Sequence, residues 1–409
     1  MKNVQPFLIG MIALIWASLA CGFVEVGGTT PTTEDPSIIV VDIQEPTSEV
    51  LISTPEENIQ PTEKDEDNPV YSIPTMTYIG SDNNVWILES GSQAPYQVTF
   101  DANLEGGGTT VEYMNPSLSS DGILLAYNLL KSIPNDSGYE SIYGLWVKNL
   151  ATGDQRQIMD GRSAGYAWKP GAHILAYGTG PDLEYFISLA DPDIDLSTGI
   201  SAIDLDRGET LELVAPERGY TLSGPSWSLD GRFLAFAEVK NMEGSGLFAY
   251  YDLEKQEYVA WDEAVGNTSW SSDGSLLTYA RDIYVATGDE RLYLHPRQGT
   301  EQLLGPDYDG PAYASQPIFS PTGDQIAYMA YLDGPMTFTA SIMLLDLAGS
   351  EPKLLGQFED VWELAWVPDG SHIVFSFGPY PSRQIVALNI YDGSQTVLAN
   401  GSQPALAGQ

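Results

Sequence analysis

The chain has 409 residues with 17 basic and 56 acidic side chains, a net charge of −39 at pH 7. So acidic a surface is repelled by phosphate backbones and by anionic headgroups, which excludes nucleic acid and leaves no direct membrane-surface binding. With one cysteine there is no intramolecular disulfide, and the fold must hold by packing.

In chain order, Lys2 precedes an apolar run from Phe7 to Ala20. That run is too short for an ordinary spanning helix and reads as an export leader. It closes on Ser18-Leu19-Ala20-Cys21-Gly22, which resembles the lipobox of bacterial lipoproteins. The resemblance implies that residues 1–21 are a signal peptide and that Cys21 carries the lipid. Residues 22–68 are rich in Thr, Pro and Glu, with 12 acidic residues against one Lys. Such a segment cannot bury enough apolar surface to offset its ordering entropy, so it reads as a tether. As a flexible coil it spans roughly 40 Å.

Residues 69–409 repeat. Each copy has a large residue, a turn, and an aromatic nine positions later: Leu118 and Tyr127, Trp168 and Tyr177, Trp227 and Phe236, Trp270 and Tyr279, Phe319 and Tyr328, Trp366 and Phe375. Gly122, Gly231, Gly274, Gly323 and Gly370 keep one turn position, and Gly171 sits one place earlier. The strand after each turn is apolar at successive positions, as when both faces are buried. Later strands in each copy alternate, as half-exposed strands do. A period of this size with four short strands predicts β-propeller blades. Near the start, Met76-Thr77-Tyr78 and the strands after it lack a first strand. Ser402 to Leu406 supplies it, copying Ser315 to Phe319. The expectation is an all-β, seven-bladed β-propeller whose closing blade is shared between the two ends.

The hairpins resemble the TolB-like, WD-repeat-like propeller repeat of bacterial envelope proteins. Pro225 to Gly231, Gln316 to Gly323 and Trp366 to Gly370 carry the likeness. It implies a propeller domain over the whole repeat region.

Chemistry is sparse. No nucleophile elbow, zincin motif or Cys/His cluster occurs. His173, His295 and His372 read as surface residues at turns. Asp121, Asp230, Asp273 and Asp369 read as turn residues that satisfy backbone groups. Asp191, Asp193 and Asp195 alternate and suit Ca²⁺ as a cofactor, against the alternative of a solvated acidic loop. Leu196 and Ala202 break the EF-hand pattern.

Residues 128–143 and 178–199 are long connections on the face opposite the tight turns, where function is usually housed. Tyr113, Tyr166, Tyr313 and Trp362 lie ahead of innermost strands and are expected to rim the channel there as a ligand site. The expectation is an exported, lipid-anchored binding module that is not an enzyme, anchored to the cytoplasmic or outer membrane by Cys21. Its partner is an envelope protein, peptide or glycan. The alternatives are a carbohydrate-active lyase or hydrolase, or a scaffold subunit.

Overall fold

The chain divides into two units, Met1–Val70 and Tyr71–Gln409. The computed structural model describes, within the second, residues 73–92, 94–105, 108–136, 138–161, 163–179, 197–217, 219–240, 246–264, 268–284, 289–297, 299–304, 313–331, 338–349 and 351–408. Cys21, the tether, and Asp191, Asp193 and Asp195 lie outside the described residues.

Every described element is a strand. They are β1 (Met76–Gly80), β2 (Val85–Leu88), β3 (Tyr96–Gln97), β4 (Thr110–Leu118), β5 (Leu124–Asn135), β6 (Gly138–Asn149), β7 (Gln155–Asp160), β8 (Tyr166–Trp168) and β9 (Ile174–Thr179). Then come β10 (Gly199–Asp204), β11 (Glu209–Val214), β12 (Tyr220–Trp227), β13 (Phe233–Lys240), β14 (Gly246–Asp252), β15 (Glu257–Ala264), β16 (Thr268–Trp270), β17 (Leu276–Tyr284) and β18 (Asp289–Pro296). The last are β19 (Gln302–Leu303), β20 (Ala314–Phe319), β21 (Gln325–Ala330), β22 (Thr339–Asp346), β23 (Lys353–Glu359), β24 (Trp362–Trp366), β25 (His372–Phe377), β26 (Gln384–Asn389) and β27 (Gln395–Leu406). Among the described residues no helix is long and apolar enough to cross a membrane.

The strands form antiparallel four-stranded sheets in chain order: β4 to β7, β8 to β11, β12 to β15, β16 to β19 and β20 to β23. A further sheet runs β24-β25-β26-β27-β1-β2-β3. No sheet closes on itself. The long strand β27 serves two partners. Its first half pairs with β26, as in Leu388 against Gln395, and its second half pairs with β1, as in Met76 against Leu406.

Burial peaks in the second and third strands, as in β21, β22, β25 and β26, while the fourth strands β7 and β11 are mostly exposed. All twelve residues of the six aligned pairs are buried. Apolar clusters then join each sheet to the next. One cluster joins β24 to β26 to the preceding sheet, another joins β25 and β26 to β1 and β2, and a third joins β1 and β2 to β4 and β5. The first strands also touch in succession: β4 with β8, β8 with β12, β12 with β16, β16 with β20, β20 with β24, β24 with β27, and β27 with β4. The first strands therefore stand innermost, around a common axis.

Tryptophans stitch these inner strands. Trp168 Nε1 donates to Ser117 O, Trp227 Nε1 to Ala167 O, and Trp366 Nε1 to Ile318 O, all at 3.1–3.2 Å. Each acceptor is the residue just before the preceding copy's anchor. Trp270 Nε1 is buried with no partner among the described residues.

The tight turns are built alike. At the third of these sheets Ser228 Oγ donates to Asp230 Oδ1 and accepts from Phe233 N, and Asp230 Oδ1 accepts from Arg232 N. Gly231 supplies the left-handed φ of 67° the turn requires. The same bonds recur around Asp121 and Asp273. The turn aspartates are structural, as their sequence setting implied.

Two expectations need correction. Residues 128–143 are less a loop than a hairpin, because β5 and β6 stay paired as far as Asn135 against Gly138. His295 and His372 are not surface residues, each being only 8% exposed.

Candidate functional site

Because every neighbouring strand pair is antiparallel, turns alternate between two faces. One carries the first tight turn and the connection from third to fourth strand. The other carries the remaining connections, and the innermost strands begin there.

Five innermost strands break their ladder at one place, β27 doing so against Thr77 to Ile79 of β1. The register shifts between Met114 and Ser117 in β4, Ser223 and Ser226 in β12, Ser315 and Ile318 in β20, and Trp362 and Ala365 in β24. These are β-bulges, which re-aim a side chain and leave a residue unpaired. The residue three places before the anchor sits in each. Asn115, Gln316, Glu363 and Gln403 occupy it with φ of 53°, 48°, 57° and 56°, and Gly165 and Gly224 with 95° and 60°. Asn267, the equivalent of β16, lies outside the described residues. Pro116, Pro225, Pro317 and Pro404 follow four of these residues. A proline has no N–H to give a ladder, so bulges are among the few sheet positions that accept one.

Left-handed backbone costs a residue with a Cβ about 1–2 kcal/mol. Here it is held by bonds that run from sheet to sheet. Gln316 Oε1 accepts from Leu364 N at 3.4 Å, and Glu363 Oε2 from Gln403 N at 3.2 Å. Gln403 Oε1 accepts from Asn115 N at 2.6 Å, and Asn115 O accepts from the Tyr166 hydroxyl. On the other side of the axis Gly224 N donates to Ala164 O. The result is a polar crescent from Gln316 to Asn115, facing a bare stretch at Gly165 and Gly224. A Cβ added at Gly224 would meet nothing within 4 Å, so that position opens onto free space.

Glu363 is the acid of the crescent. Its Oε2 also accepts from Ser376 Oγ at 2.9 Å, and Ser376 is fully buried. Burial pushes its carboxyl above the ordinary range, against the opposing bonds from Ser376 and Gln403 and the charge of Arg383; Asp360 adds to the rise. Beside it, Asp360 Oδ1 accepts from Trp362 Nε1 at 2.8 Å, and Asp360 Oδ2 from Arg383 Nη2 at 2.8 Å. The Arg383 guanidinium also lies 5.2 Å from the Trp362 ring centroid.

Of the four aromatics expected to rim the channel, three are engaged by neighbouring groups. Tyr113 is 8% exposed, donates to Asp101 Oδ1 at 2.7 Å and packs edge-on against Tyr127. Tyr166 braces Asn115, and burial pushes its phenol well above the usual range. Trp362 is held by Asp360 and covered by Arg383. Tyr313 is half-buried. Three of the four lie inside innermost strands rather than ahead of them, at different distances from their anchors, so their side chains leave in different directions. Tyr166 braces the crescent through Asn115 O, and Trp362 directly precedes Glu363 in it. Among the described residues no group of three or more His, Cys, Asp or Glu is placed to hold a metal ion.

Sequence reasoning missed the crescent. A polar residue followed by proline, with the anchor two places on, was its signal: Asn115-Pro116, Gln316-Pro317 and Gln403-Pro404.

No protein-family model matches the chain, and no curated protein matches it in sequence. Solved structures do. The chain is similar to an oligogalacturonate lyase in complex with manganese, at 16% identity and TM-score 0.53, over 81% of this chain and 85% of that one. It is similar to the β-propeller domain of the Trilobed protease from Pyrococcus furiosus, at 15% identity and TM-score 0.50, over 71% and 86%. It is also similar to TolB from Acinetobacter baumannii, at 14% identity and TM-score 0.48, over 74% and 82%. The fold is a β-propeller. The expectation that the chain is not an enzyme is overturned by the first of these: a lyase is built on this fold, so the fold does not set the chain apart from enzymes.

Proposed function

We propose that residues 71–409 form a seven-bladed propeller whose last blade is β27-β1-β2-β3, and that it binds a ligand over the polar crescent at its axis. The blade count is supported by the first strands touching in a cycle of seven and by β27 serving two sheets. The binding role rests on one observation. Four residues with side chains are held left-handed at one register position, three places before each anchor, beside two glycines that leave space open. Backbone strain of this kind persists where surroundings enforce it and collects at functional sites.

On the same reading, Cys21 anchors the chain outside the cytoplasm and the acidic segment 22–68 holds the ring off the membrane. The partner is an envelope protein, peptide or glycan. A Cys21→Ala form should leave the membrane fraction and lose fatty-acid labelling.

The binding role is tested with the full chain on immobilised peptide and glycan sets. Gln316→Ala and Gln403→Ala should weaken the ligand so found about tenfold, the equivalent of about 1.4 kcal/mol. Leu229→Ala and Tyr391→Ala, exposed on the tight-turn face, should leave it unchanged. The opposite pattern would place the site on the wrong face.

A further inference from the structure

The polar groups of the crescent also constrain the chemistry of its ligand, a step that rests on the crescent being the binding site. Glu363 Oε2 is saturated by two donors, Ser376 Oγ and Gln403 N. Its Oε1 accepts no hydrogen bond from the described residues. The nearest cation, Arg383, is committed to Asp360 Oδ2 at 2.8 Å and to Gly378 O at 3.2 Å. Glu363 is thus a partly buried carboxylate with one free oxygen and no cation of its own. Such a charge is costly until something neutralises it.

The free oxygen discriminates among cations. A guanidinium is a planar fork that wants both oxygens of a carboxylate, and one is already taken. A divalent metal wants several oxygens, yet the amide oxygens of Gln316 and Gln403 already accept backbone N–H groups. Their Nε2 groups, without partners among the described residues, present donors instead. A primary ammonium is a compact point charge that one oxygen can take. A neutral hydroxyl would bond but not neutralise. The net charge of −39 draws cations to the protein from a distance.

We propose that the crescent binds a peptide through a primary ammonium placed on Glu363 Oε1, with the Gln316 and Gln403 amide nitrogens donating to its carbonyl oxygens. The ammonium has two sources, a peptide's amino terminus or a lysine side chain.

The test uses the full chain and three forms of the pentapeptide Gly-Gly-Lys-Gly-Gly in calorimetric titration. One has only the amino terminus free, one only the lysine, and one has both acetylated. At least one of the first two should bind, about tenfold or more above the third. Between pH 4.5 and about pH 7, where either ammonium keeps its proton, its affinity should rise as Glu363 ionises; the groups facing Glu363 are Arg383 and Asp360. Glu363→Gln should weaken binding to the level of the acetylated peptide and flatten that rise. It should also melt higher than the parent at pH 8, because the amide keeps the Ser376 and Gln403 bonds without the buried charge. Equal binding of all three peptides, no binding of either ammonium form, or indifference to Glu363→Gln overturns the proposal. If the acetylated peptide binds as well and Gln403→Ala abolishes it, the ammonium preference falls and the site stands. If peptides bind but no crescent variant matters, the site falls with it.

Discussion

His173 ties two adjacent sheets together on the tight-turn face. Its Nε2 lies 2.9 Å from Asp121 Oδ2 and its Nδ1 lies 2.8 Å from Asp206 Oδ1. The hydrogen bond to Asp206 and then that to Asp121 raise its pKa above 6.5. Burial raises Asp121, but bonds from Ser119, Ile123 N and His173 outweigh it and leave the carboxyl below 3.8. The folded state therefore holds the His173 proton more tightly than the unfolded chain does. The stabilisation is complete below pH 6.5 and is lost as pH rises through the folded value. On the acid side it fades as Asp121 protonates below pH 3.8. A His173→Gln variant should thus melt lower than the parent near pH 5.5 and match it near pH 9. The gap between the two melting curves is read by calorimetry, and an equal gap at both values would show that the imidazolium contributes nothing. The site is partly exposed, so the effect should shrink in high salt.

The bulges, not the aromatics, distinguish the inner strands from ordinary sheet. Gly165 and Gly224 hold equivalent positions yet differ in surroundings. A Cβ on Gly165 would lie 3.1 Å from the Gly224 backbone and 3.3 Å from Pro225 Cδ, whereas one on Gly224 would meet nothing. Gly165→Ala should therefore destabilise by about 1–3 kcal/mol, from left-handed strain and crowding together. Gly224→Asn suits a left-handed residue and should cost far less, while extending the crescent into the open stretch. Urea unfolding of the two variants checks the order; equal losses would mean that Gly224 is as enclosed as its neighbour. The strands themselves were legible in sequence. Spacing of nine between Trp227 and Phe236, with Asp-Gly between, marks a hairpin whatever lies around it, because turn chemistry and burial on both faces are local properties. The crescent was not. That Gln403, Asn115 and Glu363 meet depends on which strands stand side by side, and Gln403 is 288 residues from Asn115. Where the aromatics point was not legible for the same reason. Tyr113 and Trp362 precede their anchors at unlike distances, and only register decides where a side chain in a strand points.

At the scale of the molecule, the end of the chain holds the beginning. β27 leaves β26, continues past Gly401 and pairs with β1, so Ser402 to Leu406 are innermost strand to residues that precede them by more than three hundred positions. Gly401 enforces the crossing, since any Cβ there would lie 2.2 Å from Ile79 O. Leu406 is 2% exposed and packs with Met76, Tyr78 and Val374, and Ala407 N closes on Thr75 O at 2.8 Å. Gln403 in the same segment holds Asn115 N. Deleting Ser402 to Gln409 thus removes core, ladder and one arm of the crescent together. Loss of the buried Leu406 side chain alone is worth about 2–5 kcal/mol. The deletion also leaves β1 with an unpaired inner edge, a template for association between chains. The truncated chain should melt well below the parent, with a broadened transition, and should self-associate. Leu406→Ala should reproduce the lower melting temperature but, with its backbone ladder intact, should stay monomeric in gel filtration. If the truncated chain melted with the parent and stayed monomeric, the pairing of β27 with β1 would not be what closes the ring.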